Sequence, residues 1–208
     1  MIHGLVFAIA SGALGLASPA GASSQDGQAY FPPSLYEATI QCGLFGRGPR
    51  REVMSDFLSN WYGGHLRAAG EAPLFRMSGP TLRFTWLRSF HAPVVIRLDT
   101  AANGTVMMTA TELSGKGGYD PGTIARRIER PLSAQEAAAL TRTLEETAIL
   151  EQAPRTCRLG MDGAEWIIES VGPHGYRFVD RWTPSDGPVR ELGLLMLSFT
   201  SWAPDPIY

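Results

Sequence analysis

The sequence predicts an α+β fold: a single antiparallel β-sheet of five or six strands, with two or three helices packed mainly on one face. Three observations carry this expectation. Apolar and polar residues alternate between turn signals in Thr81–Phe90, Val94–Asp99 and Thr105–Leu113. Other stretches place apolar residues at helical spacing. The 23 glycines and 15 prolines in 208 residues exceed what a helical bundle uses and point to many turns.

The elements follow in chain order. Residues 2–17 are apolar, with no Lys, Arg, Asp or Glu, and Ala20-Gly21-Ala22 follows as a small-x-small site. This is the pattern of a signal peptide cleaved after Ala22, with His3 and the amino terminus as its positive region. A retained membrane anchor is the other reading, but the run is shorter than the ~20 apolar residues of a span and is interrupted by glycines. No Cys stands at the cleavage point, which argues against a lipoprotein. The mature chain is therefore expected in the periplasm or medium, without a transmembrane span. Residues 23–40 read as an N-terminal linker and 41–208 as one domain.

Residues 51–69 have a helical stripe of Met54, Phe57, Leu58, Trp61, Tyr62 and Leu66, and Gly63-Gly64 predicts a bend or an end within it. In the three strand runs, Leu82, Phe84 and Trp86 share a face, as do Val94, Ile96 and Leu98. Asn103-Gly104 predicts a tight hairpin turn in which both residues take positive φ. Ile124–Arg130 is a further strand. Ser133-Ala134-Gln135-Glu136 is a capping box opening a helix to about Leu150, with Ala137, Leu140, Leu144 and Ala148 buried. Ala164–Val171 and Tyr176–Trp182 form a second hairpin. Asp186 is the expected cap of a last helix, with Pro188 in its first turn. Its apolar stretch, Leu192 to Trp202, is too short for a bilayer and suits a helix pressed on a sheet.

Charge and motifs exclude several functions. A net charge of -2 argues against nucleic acid. The Gly-rich stretch Ser114–Gly122 fails the phosphate-loop pattern and reads as a loop, with Lys116, Tyr119, Asp120 and the neighbouring Glu112 as a possible ligand rim. No nucleophile elbow and no zinc-peptidase histidine spacing occurs, so neither a metal nor another cofactor is implied. Cys42 and Cys157 are the only cysteines. In an exported chain they can form a disulfide; two separate buried thiols are the alternative. Glu112, Asp120, Glu165, Glu169, Asp180 and Asp186 lie near strand ends or loops, where a pair of carboxylates across a cleft is the least excluded enzyme chemistry. Arg83, Arg88, Arg97, Arg177 and Arg181 are expected to line the sheet face opposite the aromatics, for an acidic partner or for water.

The C-terminal third, "DGAEWIIESVGPHGYRFVDRWTP" and then "GPVRELGLLML", resembles a pattern in a family of small exported bacterial proteins of unknown function. Its elements fall on Trp166 and Glu169, on Tyr176, Arg181, Trp182 and Pro184, and on Arg190, Leu192 and Gly193. "WLRSFHAPVVIRL" and "GGYDPG" are similar to the same group, so the resemblance runs from about residue 50. It implies export and one domain, and no activity. Physically the motif reads as architecture: Gly193 permits close helix–sheet approach, and Arg181 and Arg190 pair with Glu169 or Asp180. The function expected is that of an exported, non-catalytic protein binding an unknown envelope protein or ligand. The alternative is a carboxylate-dependent hydrolase of an envelope polymer, acting through Glu112, Asp120 and Glu169.

Overall fold

The computed structural model describes residues 29–43, 47–158 and 160–208. The expected signal peptide, its cleavage site and the start of the linker lie outside them. The elements are α1 (Pro33–Glu37), β1 (Thr39–Gln41), β2 (Arg50–Glu52), α2 (Asp56–Ala68), β3 (Thr81–Arg88), β4 (Val94–Thr100), β5 (Val106–Leu113), β6 (Ile124–Pro131), α3 (Ala134–Thr147), β7 (Ala164–Gly172), β8 (Gly175–Trp182) and α4 (Pro188–Ser198). Short 3-10 turns at Leu74–Arg76 and Ile149–Glu151 complete the described chain.

The fold is α+β. Six strands form an antiparallel sheet in the order β6-β5-β4-β3-β7-β8. It is not the only sheet, because β1 and β2 pair separately, Ile40 opposite Arg51. The sequence did not disclose this ribbon: three-residue strands carry no period, and Arg51 and Glu52 fall within the expected helix of residues 51–69.

α3 and α4 pack on one face of the sheet and α2 on the other. The period of two sorts the strands. Leu82, Phe84, Trp86, Ile96, Met108, Trp166 and Ile168 pack with Leu140 of α3 and with Val189, Leu192 and Met196 of α4. The intervening positions Leu87, Val95, Ile167 and Phe178 pack with Tyr30, Phe31 and Leu35 and with Tyr62 and Leu66 of α2. Central strands buried on both sides lose the simple alternation, and every residue of β3 is buried. Tyr30 and Phe31 belong to this second core, at 5% and 1% exposure, so the domain begins inside the expected linker.

Local signals act where they were read, with four corrections, the first being that α3 ends at Thr147, so Ala148, expected on its buried face, is an exposed cap with φ of 45°. The Ser133 capping box forms in full. The helix α2 instead starts at the Ser55 cap and runs unbroken through Gly63-Gly64, and the Gly63 site faces the Tyr30 ring, where a Cβ would meet it at 3.1 Å. In the first hairpin only Gly104 takes positive φ (+83°), Asn103 does not, and the Ala101 and Thr105 backbones close the loop. This is a turn followed by a left-handed glycine, and the Asn103 side chain accepts from the Thr105 N–H. The α4 cap is Gly187, not Asp186, whose carboxylate takes the Ser185 hydroxyl instead.

Gly193 provides the close approach its sequence context suggested. A Cβ there would lie 2.6 Å from two Trp166 ring carbons, so α4 rests directly on the indole.

Candidate functional site

The α2 face of the sheet carries a band of buried charge. Arg83, fully buried, donates from Nε and Nη2 to Glu169 Oε2 at 2.9 and 2.8 Å, and its Nη1 reaches the Ala72 carbonyl. Glu71 lies 3.5 Å from Arg83 and 2.8 Å from Arg97, which also holds Asp99. The Tyr176 hydroxyl donates to the other Glu169 oxygen at 2.8 Å, and burial, then the Glu169 charge, pushes that phenol well above its usual pKa. Of the arginines expected on one face only Arg83 and Arg97 are on it, in this paired network; Arg177 lies exposed on the α4 face, opposite Ser170. Neither Arg83 nor Glu169 is offered to a partner, and Arg88 lies on the opposite face, with Trp86.

The expected pairing of Arg181 and Arg190 with Glu169 or Asp180 is replaced. Arg181 donates to the Asp180 backbone carbonyl and to Gln152, and Arg190 stacks over the Trp166 ring, 5.5 Å from its centroid. In register terms Arg181 sits opposite Trp166 on the α4 face, where neither carboxylate points.

The possible rim residues do not converge. Glu112 is ion-paired to Arg126 on the α4 face. Asp120 accepts from the Gly122 N–H within its own exposed loop. Tyr119 leans on Phe90, and the Lys116 carbonyl faces His65. The Gly-rich loop is pinned on the β3–β4 connection: the Gly117 and Gly118 N–H groups donate to the His91 and Ser89 carbonyls, and Trp61 Nε1 donates to the Gly117 carbonyl at 2.7 Å.

That pinning forms one wall of a cavity of about 510 Å³. Phe57, Asn60 and Trp61 come from α2, Ser89 and Gly118 from the loops, Gly160 and Met161 from the segment before β7, Glu165 from β7 and Trp182 from β8. Phe57 and Met161 are 72% and 93% exposed, so the mouth presents apolar surface to solvent. The helical stripe places Phe57 inside; it is exposed instead, against Trp61. Gly163 lets the Trp182 indole lie flat, since a Cβ there would overlap the ring.

Under this cavity Glu165 and Asp180 are both buried on the α2 face. Asp180 Oδ2 takes the Tyr62 hydroxyl at 3.1 Å and Arg155 Nε at 2.9 Å. Its Oδ1 and Glu165 Oε2 have no other partner, and the two side chains are within hydrogen-bonding reach of each other. A protonated Glu165 is a hydrogen-bond donor from which its neighbour Asp180 can accept. Burial, then the Asp180 charge, raises the Glu165 pKa to about 10, so the carboxyl is neutral at pH 7. Burial also pushes the Tyr62 phenol well above its usual pKa, with Asp180 adding to it.

Cys42 and Cys157 are joined by a disulfide, with Cα atoms 5.6 Å apart. It ties the β1 end to the segment that carries Arg155 and Met161. Closing a loop across 115 residues stabilises by about 4–5 kcal/mol in the chain-entropy account.

A second cavity, about 580 Å³, opens at the other end of the sheet between α3 and the β7–β8 turn, with Leu82, Leu140, Leu144 and Leu150 as its floor. It carries no comparable carboxyl pair. Among the described residues no group of three or more His, Cys, Asp or Glu side chains is placed to hold a metal ion, and no helix is long and apolar enough to cross a membrane.

Sequence reasoning noticed Glu165, Asp180 and Trp182, but as acids near strand ends and as sheet packing. It missed Tyr62, which lies 118 residues from Asp180, and Arg155 and Met161, which sit on an irregular segment with no period of its own. No protein-family model matches the chain, and no curated protein matches it.

Proposed function

We propose that this chain is an exported, non-catalytic binding protein, and that the cavity between α2 and the β7–β8 end holds a small polyhydroxylated ligand of the saccharide type. One observation carries the reading: a solvent-open cavity walled by Trp61, Trp182 and Phe57 has a neutral carboxyl, Glu165, at its base. Flat indole faces match the C–H faces of a sugar ring, and Glu165, Ser89 and Asn60 supply the few polar groups that orient a ligand in an apolar site. Export is supported by the disulfide and by the signal-peptide pattern of the first 22 residues.

The hydrolase alternative has less support. Two-carboxylate hydrolysis needs two carboxyls on either side of the scissile bond, about 5–10 Å apart. Here Glu165 and Asp180 are neighbours buried on the same face, and only Glu165 lines the cavity. Glu112, Asp120 and Glu169 lie on different surfaces of the domain or in its core.

Titration of the disulfide-intact protein with cell-wall oligosaccharides, read by tryptophan fluorescence, tests the proposal. Saturable quenching is expected, weakened at least tenfold in Trp182→Ala. No response to any oligosaccharide at millimolar concentration overturns it.

A further inference from the structure

On the opposite face, residues 203–208 fold back over the end of the sheet. Trp86 and Trp166 are directly paired across β3 and β7, and both rings are fully buried. Their two indole N–H groups converge on one oxygen: Trp166 Nε1 and Trp86 Nε1 donate to the Tyr208 backbone carbonyl at 2.9 and 3.2 Å. Arg88 Nη1 donates to the Pro206 carbonyl at 3.2 Å, and the Tyr208 hydroxyl meets His91 Nδ1 at 2.7 Å.

The pattern is that of a ligand in a site. No backbone–backbone hydrogen bond joins residues 203–208 to the rest of the described chain. The polar contacts that hold the segment come from side chains on β3, β7 and the β3–β4 connection. The segment, Ala-Pro-Asp-Pro-Ile-Tyr, has the composition that aromatic-lined grooves recognise: prolines reduce the ordering cost, and backbone carbonyls accept from indole and arginine donors. The fit is also incomplete. Arg88 is 3% exposed, yet its Nε has no partner. A groove shaped only for this segment would leave no buried guanidinium donor idle.

We propose that the groove over Trp86 and Trp166 is a binding site for short, proline-containing peptides bearing an aromatic residue, which the chain keeps filled with its own residues 203–208. A competing peptide gains access by displacing that segment, and one with an additional acceptor beside Arg88 Nε binds better than the segment itself. This site is separate from the Glu165 cavity and stands independently of it.

The test compares the full chain with a variant ending at Trp202, using the synthetic peptide Ala-Pro-Asp-Pro-Ile-Tyr in calorimetry. The shortened protein is expected to bind one peptide, and the full chain to bind it at least tenfold more weakly. Trp166→Phe in the shortened protein should weaken binding a further tenfold. A shortened protein that keeps its circular dichroism and does not bind, or equal binding by both forms, overturns the proposal. Should the shortened protein fail to fold, a protease site between Trp202 and Ala203 of the full chain is cut after folding. Exchange of the cut segment for labelled peptide supports the proposal; a segment that leaves only when the protein unfolds overturns it.

Discussion

Glu165 and Asp180 are diagonal neighbours across β7 and β8, and each carries a buried oxygen with no hydrogen-bond partner. One shared proton resolves the contact. The same proton makes Glu165 an uncharged donor at the base of an aromatic cavity, so the electrostatics of the interior and the character of the site have a single origin.

The pH dependence of stability follows from that proton. Glu165 titrates near 10 when folded, against ~4.3 for an ordinary glutamate. Between these values the folded state holds a proton that the unfolded chain has released, so stability falls as pH rises. The contribution is complete below ~4.3 and is lost progressively toward pH 10, with a slope of at most about 1.4 kcal/mol per pH unit for one proton. In Glu165→Gln the amide keeps a donor toward Asp180 and does not titrate. Urea unfolding at pH 5, 7 and 9, disulfide intact, should show a smaller loss in the variant; parallel losses contradict the assignment.

Removing Arg83 should be far more harmful than removing its network together. Arg83→Met strands Glu169 in the interior while Glu71 keeps Arg97, and this costs about 3–5 kcal/mol. Adding Glu169→Leu should recover at least half of the loss, measured as coupling in a double-mutant unfolding cycle. Additive losses would show that the pair does not interact.

Gly193→Ala should destabilise, against helix propensity. Alanine gains about 1 kcal/mol over glycine within a helix. The new methyl meets the Trp166 ring at 2.6 Å, however, and such overpacking costs about 1–3 kcal/mol. Unfolding midpoints and near-ultraviolet circular dichroism of the indole measure it; unchanged spectra with higher stability contradict the packing.

The disulfide should be complete and costly to lose. Denatured, unreduced protein should titrate with no free thiol. The variant with Cys42→Ala and Cys157→Ala should lose about 2–5 kcal/mol and bind cavity ligands more weakly, because the segment carrying Met161 is no longer tied to β1. Two free thiols in the exported protein contradict the bridge.

What the sequence disclosed was local. The Ser133 box, the Gly104 turn and the alternation in β4 are each written within a few residues, and each forms. What it concealed was pairing over distance. Arg83 alternates with aromatics as a solvent-facing residue does, yet α2 and Leu74–Arg76 cover that face and Glu71 and Glu169 neutralise the charge. Phe57 obeys the helical stripe of α2 but is exposed at the cavity instead of buried in the core. Glu165 and Trp182 read as ends of ordinary strands; only their register, with Arg155 delivered by a disulfide-tied loop, makes them the base and wall of a cavity. The two-stranded ribbon was beneath the length at which a period exists.

The binding claim is tested most directly by the indole N–H signals in a nitrogen–proton NMR spectrum, where the five tryptophans Trp61, Trp86, Trp166, Trp182 and Trp202 report separately. Adding a cell-wall oligosaccharide should move the Trp61 and Trp182 signals saturably and leave Trp86 and Trp166 in place. A spectrum in which Trp61 and Trp182 do not move, or move only with all the others, contradicts a ligand site in the Glu165 cavity.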